Sequence, residues 1–243
     1  MAILVTRPLP DGETTAGALR TRGFEVVLAP MLRFEPVAFH DDGDAYGAVV
    51  VTSANALRAI APRLPGSPLL KLPLFAVGDH TADAARGCGF ANVISAKSDA
   101  DGLRERVLAS VKAKALKKTS PLLYLAGADL ARDLPGELGE RGFTVVTQTT
   151  YRMVAVPSLP DEARRAFAAN EVNAVLHYSR RSARAFLEAV RAAGVEISAL
   201  SLPQGCLSAA IATVLRDAGA ARVFVASAPD EGALLVALES ATC

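Results

Sequence analysis

The 243-residue sequence has no tryptophan, 5% aromatic residues, three cysteines and three histidines. A core so poor in aromatics has to come from the Ala, Val and Leu that dominate its 51% apolar residues, which suits helices packed closely on parallel strands. Cys88, Cys206 and Cys243 are odd in number and widely spaced, with no C-x-x-C pair and no secretory signal before them, so a reducing cytoplasm is expected. His40, His80 and His177 lack helical i, i+4 partners, which argues against a zinc or iron site. A net charge of +1 provides no field for nucleic acid or an anionic membrane, and the basic cluster Lys112 to Lys118 reads as a solvated helix end or linker. No apolar run approaches the roughly 18 to 20 residues of a membrane span. Neither G-x-G-x-x-G nor G-x-x-x-x-G-K-[ST] occurs, so no nucleotide cofactor is expected.

What is present is a pattern stated twice. The run Leu122 to Gly127 reads as a buried strand, a helix is expected from about Leu130 to Arg141, and Gly142-Phe143 turns the chain into Thr144-Val145-Val146. At an offset of 119 the same features stand at Ile3-Leu4, Gly23-Phe24 and Val26-Val27. At an offset of 126, Ala48 to Ser53 matches Ala174 to Ser179, each followed by a helix ending near Ile60 or Phe186. At an offset of 130, Gly78 meets Ser208, Gly89 meets Gly219 and Val93 to Ala96 meets Val223 to Ala226. Three registers in order indicate an internal duplication.

Between these units, Leu32 to Val37 and Thr149 to Pro157 alternate apolar and polar residues, as exposed or edge strands do. Such segments could pair and bridge two lobes. Elsewhere strands alternate with helices and end in small or hydroxylic residues, the pattern of parallel βαβ winding. In such sheets ligands bind beyond the carboxyl ends of the strands, where helix N-termini favour anions. Two sheets facing each other would give one cleft suited to an anionic ligand. The candidates at strand ends are Arg7, the cluster Thr52, Ser53 and Asn55, then Gly78 with Thr81, Gly127, Ser179 with Arg180, and Ser208. Ser53 and Ser179 also serve as helix caps. Thr81 corresponds to Ile211 and Tyr151 to Leu32, so a hydroxyl is kept in one copy alone at each position. The Tyr151 phenol, protonated at neutral pH, can donate to a leaving oxygen. No nucleophile with an adjacent base emerges, so an enzyme here works by positioning and hydrogen bonding.

Thr6-Arg7-Pro8, Tyr46-Gly47-Ala48 before Thr52-Ser53-Ala54-Asn55-Ala56, Val77-Gly78-x-x-Thr81-Ala82, Gly142-x-x-Val145 leading to Tyr151, and Ser179 with Ala183 and Phe186 resemble the uroporphyrinogen-III synthase family over essentially the whole chain. The sequence departs from that family's pattern in the absence of a hydroxyl near Ile211 and of an arginine directly after Gly127, with Arg132 the nearest substitute. The resemblance implies two flavodoxin-like α/β lobes joined by a two-stranded linker, residues 1–36 with 155–243 forming one and 37–154 the other. It implies a cofactor-free cyclisation of hydroxymethylbilane, with Tyr151 acting on the departing hydroxyl and the other candidates holding substrate carboxylates. It further implies a cytoplasmic monomer in transient contact with hydroxymethylbilane synthase. A two-lobed binding or regulatory module without the chemistry is the competing reading.

Overall fold

Short apolar runs ending in Gly or a hydroxylic residue become parallel strands, because only a strand covered by helices on both faces can bury every side chain of such a run. The computed structural model describes residues 1–39, 45–130 and 132–242; His40 and Cys243 lie outside them. The chain opens with β1 (Ala2–Val5), α1 (Asp11–Arg20), β2 (Glu25–Leu28) and β3 (Leu32–Pro36). Next come β4 (Ala48–Val51), α2 (Ala54–Ile60), β5 (Pro73–Ala76), α3 (Asp79–Gly87), β6 (Asn92–Ser95) and α4 (Ala100–Lys112). These lead into β7 (Leu122–Gly127), α5 (Leu134–Glu140), β8 (Val145–Ala155), α6 (Asp161–Ala168), β9 (Val172–His177) and α7 (Arg180–Ala192). The chain closes with α8 (Glu196–Ser201), β10 (Gln204–Cys206), α9 (Ala209–Asp217), β11 (Val223–Val225) and α10 (Glu231–Thr242).

Two compact units result, Met1–Phe34 with Val154–Cys243 and Glu35–Met153. The first carries a parallel sheet in the order β11-β10-β9-β1-β2. On one face Ile3, Val5, Ala174 and Leu176 pack with Leu19 of α1 and Leu234, Leu235 and Leu238 of α10. Beneath the other, Ala183 and Leu187 of α7 meet Ile211, Ala212 and Leu215 of α9 around Cys206.

The second unit is built on the sheet β3-β8-β7-β4-β5-β6, parallel from β8 to β6. Strict alternation sorts its side chains: Val49, Val51, Leu123 and Leu125 face α2 and α3, whereas Ala48, Val50, Leu122, Tyr124 and Ala126 face α4 and α5. β3 forms the edge, as its alternation suggested, and runs antiparallel to β8, with Val156 N donating to Met31 O (3.0 Å) and Val37 N to Thr150 O (2.7 Å).

Three elements differ from their expected form. α5 starts at Leu134 rather than about Leu130, because Asp133 accepts a hydrogen bond from Gly136 N as cap and Pro135 fits only the first turn. α7 continues six residues past Phe186 to Ala192, since Leu187, Ala189 and Val190 go on burying the same face. Val145–Ala155 is one 11-residue strand instead of two pieces, in keeping with its β-branched Val and Thr content.

Candidate functional site

In each sheet the winding reverses once, and there helices leave neighbouring strands toward opposite faces and open a crevice at the strand ends. In the second unit this point lies between β4 and β7, because β5 and β6 extend on one side of β4 while β7 and β8 extend on the other. After β4, α2 covers one face; after β7, α5 covers the other. Thr52 and Ser53 follow β4 and Gly127 ends β7, while Tyr151, inside the neighbouring β8, pairs with Gly127.

Thr52 Oγ1 shares a 3.0 Å hydrogen bond with the Tyr124 hydroxyl. Burial pushes the Tyr124 phenol above its ordinary pKa, against the lowering effect of Thr52, and the neighbouring Tyr151 adds a smaller upward push. Ser53 caps α2 by accepting from Asn55 N at 3.2 Å. The Asn55 amide nitrogen turns toward Met153 Sδ, 3.9 Å away on β8, two residues beyond Tyr151. Gly78 is the N-cap of α3, and Thr81 is buried in its first turn. The half-buried Tyr151 lies over Gly127, where a Cβ would meet Tyr151 Cζ at 2.7 Å and its hydroxyl at 2.9 Å. Arg132 is committed elsewhere, to Asp101 (2.7 and 2.8 Å) and to Glu137, which Arg104 also holds. Its hydrogen bonds hold the Asp101 and Glu137 carboxyls below the usual range.

In the first unit the reversal lies between β1 and β9, with Arg7 just past one strand and Tyr178-Ser179 just past the other. Arg7 pairs with Glu231 (3.2 Å) and Asp11 (3.6 Å), donates to Thr15 Oγ1 (3.2 Å) and stacks over the Tyr178 ring at 4.7 Å. The Tyr178 hydroxyl donates to Glu231 at 3.1 Å, and burial together with the Glu231 charge raises its pKa well above the ordinary value. The guanidinium read as an anion contact thus carries its own carboxylate. Ser179 caps α7, accepting from Ser182 N at 3.0 Å, while Arg180 is exposed. Ser208 takes the N-cap position of α9 without a side-chain cap bond.

Below this crevice, His177 is fully buried between Thr6 and Gln204. Gln204 Nε2 donates to Ala199 O (2.8 Å) and Leu202 O (3.1 Å), which leaves Oε1 as acceptor for His177 Nε2–H at 2.9 Å. Burial depresses the His177 pKa to about 4 against the opposing pull of Gln204, so the ring is neutral at pH 7 with its proton on Nε2. Cys206 is no nucleophile, since burial pushes its thiol up to about 12. Among the described residues no His, Cys, Asp or Glu cluster could hold a metal, and no helix is long and apolar enough to cross a membrane.

Sequence reading missed Tyr124 and Glu231 as partners of Thr52 and Arg7. The sole available signal for Glu231 was an acidic residue opening the last helix, 224 positions from Arg7.

Among solved structures, uroporphyrinogen-III synthetase from Helicobacter pylori is 17% identical, with 98% of each chain covered and a TM-score of 0.67. A mutant uroporphyrinogen III synthase from the extremely thermophilic bacterium Thermus thermophilus is also 17% identical, covering 99% of this chain and 98% of its own at a TM-score of 0.57. At such identity these likenesses establish the α/β fold with parallel sheets. No curated protein sequence matches. The family model described as Uroporphyrinogen-III synthase HemD matches residues 13–236, nearly the whole chain, and with the strand-end sites above this places the protein: it belongs to the uroporphyrinogen-III synthase family.

Proposed function

We propose that Tyr151 is the proton donor of the family's reaction in this chain and that the strand-end residues of the two crevices hold the substrate. The reaction is that of a cyclising lyase of heme biosynthesis: hydroxymethylbilane closes to uroporphyrinogen III with inversion of ring D through a spiro intermediate. The Tyr151 phenol donates its proton to the hydroxyl, which leaves as water and produces an electron-poor azafulvene. The substituted carbon of the terminal pyrrole attacks this centre; the spiro intermediate then fragments and recloses with ring D inverted, and a proton returns to the site. The observation that carries the assignment is the placement of Tyr151 beside Gly127, which ends a strand flanking the reversal point, on the sheet face covered by α2.

Thr52, Ser53, Asn55, Gly78 and Thr81 in one unit, and Arg7, Ser179, Arg180 and Ser208 in the other, would bind the carboxylates of the bilane, with Gly127 lying against the Tyr151 ring. Helix N-termini at Ser53, Gly78, Ser179 and Ser208 supply backbone N–H groups and a favourable dipole for this. Catalysis is then largely geometric control over which carbon closes the ring.

We read the two units as flavodoxin-like lobes descended from a duplication, with β3 and β8 as the two-stranded linker and limits near residues 36 and 155. Matching caps support this, Ser53 with Ser179 and Gly78 with Ser208, as do matching left-handed glycines, Gly23 (φ 83°) with Gly142 (φ 82°) and Gly89 (φ 95°) with Gly219 (φ 97°). We further read the protein as a cytoplasmic monomer that meets hydroxymethylbilane synthase transiently; light scattering at twice the chain mass would count against the monomer.

The test supplies freshly generated hydroxymethylbilane to the purified protein without metal or nucleotide, then oxidises and separates the type I and type III isomers. A protein-dependent excess of type III is expected. Type I alone, at the spontaneous rate and with folded protein, would leave a binding module as the better account.

A further inference from the structure

Tyr151 sits on a face of its sheet that the regular alternation of β8 does not allow. Val145 packs on the α4/α5 face and Val146 on the α2/α3 face, so a regular strand would send residue 151 to the face of Val145. Instead Tyr151 packs with Val146, Leu123 and Leu125 against the α2/α3 side. The reversal comes from a bulge: Ala126 pairs with Thr149 but Gly127 pairs with Tyr151, leaving Thr150 as an extra residue on β8. Thr150 is fully buried and held at both sides, its Oγ1 donating to Ala126 O (3.2 Å) and its carbonyl accepting from Val37 N (2.7 Å). Beyond it Ala128 N donates to Tyr151 O at 2.9 Å, which restores the ladder in the shifted register.

The bulge selects the face, and Gly127 sets the depth of the ring on it. A Cβ at 127 would lie 2.7 Å from Cζ and 3.1 Å from Cε1 of Tyr151, against an ordinary contact of 3.4–4 Å. The atoms that would have to move are the far end of the phenol, so an alanine there displaces the hydroxyl by about 0.7 Å or more and leaves the backbone in place.

We propose that Gly127 and the Thr150 bulge are positioning residues for the Tyr151 hydroxyl, acting on the reaction through that side chain and not through contact with the substrate. This rests on the role given to Tyr151 above. The test combines isomer-resolved kinetics on Gly127→Ala, Tyr151→Phe and the double variant with ¹⁹F NMR of protein labelled with 3-fluorotyrosine, in which the four tyrosines give four resonances and Tyr151→Phe identifies its own.

Gly127→Ala should move the Tyr151 resonance and leave the other three in place. It should lower kcat about 10- to 100-fold with KM within about twofold, and cost less than about twofold once Tyr151→Phe is present. An unmoved Tyr151 resonance, or an equal loss in both backgrounds, would overturn the proposal, the second result meaning that Gly127 meets the substrate itself. Thr150→Val keeps the branched shape but removes the bond to Ala126 O, and it carries the same test should Gly127→Ala not fold. A wild-type rate for Tyr151→Phe would remove the donor role while the resonance shift still decided whether Gly127 positions the ring.

Discussion

Lowering the pH from 7 to 5 should selectively loosen the unit built on β1, β9 and β10. The perturbed group is His177, whose pKa is depressed by burial from an ordinary 6.5 to about 4. The unfolded chain binds the proton more tightly than the folded one, so this contribution to stability is fully present above pH 6.5 and is lost as pH falls through the window down to 4. Over the whole window the loss is about 3.4 kcal/mol at 1.36 kcal/mol per pH unit, and between pH 7 and pH 5 it is about 1.8 kcal/mol. Native-state hydrogen exchange is the suitable assay, because it reads each unit separately where a denaturant curve would merge them. Amides of β1, β9 and β10 should show opening equilibria about 20-fold larger at pH 5, with those of β4, β5 and β7 as an internal control. His177→Gln keeps an amide between Thr6 and Gln204 and should abolish the pH effect whatever it does to stability at pH 7. An equal pH response in the variant, or one shared by both units, would refute the assignment.

Tyr151→Phe should lower the rate of type III formation by about 100-fold, in the range for loss of a general acid, without changing far-ultraviolet circular dichroism. Glu231→Gln removes the nearer of the two carboxylates paired with Arg7; if Arg7 then meets the anionic substrate more freely, KM falls by about two- to fivefold, and an unchanged KM would argue against that contact. Ser53→Ala and Ser179→Ala should each cost about 1 kcal/mol, additively and each in its own unit, as read by hydrogen exchange. Gly205→Ala places a Cβ 2.6 Å from both Leu176 Cδ2 and Phe224 Cζ and should cost about 1–3 kcal/mol by overpacking, seen as a lower midpoint of thermal unfolding.

Features set by neighbouring residues were legible in the sequence. Strand, hydroxyl, then apolar helix is a local pattern, and it located β4 with the Ser53 cap and β9 with the Ser179 cap, because a side-chain oxygen at a strand end has a helix N–H within reach. Features that depend on a partner strand or a distant helix were not. Arg7 looked like an open cation because Glu231, Thr15 and Tyr178 close on it only when α1, α10 and the end of β9 gather around β1. Thr150 is the sharper case. In the sequence, Thr149-Thr150-Tyr151 is ordinary strand composition, and alternation counted from Val145 sends the phenol to the α4/α5 side. Only the pairing of β8 with β7 shows that one residue is skipped, and the skip exchanges the two faces for everything after it. On one face the tyrosine would pack against α4 and α5; on the other it lies beside Gly127 at the end of β7, where the donor role proposed for it has its geometric basis. The placement on which that role rests is therefore set by a register that belongs to two strands together and is written in neither alone.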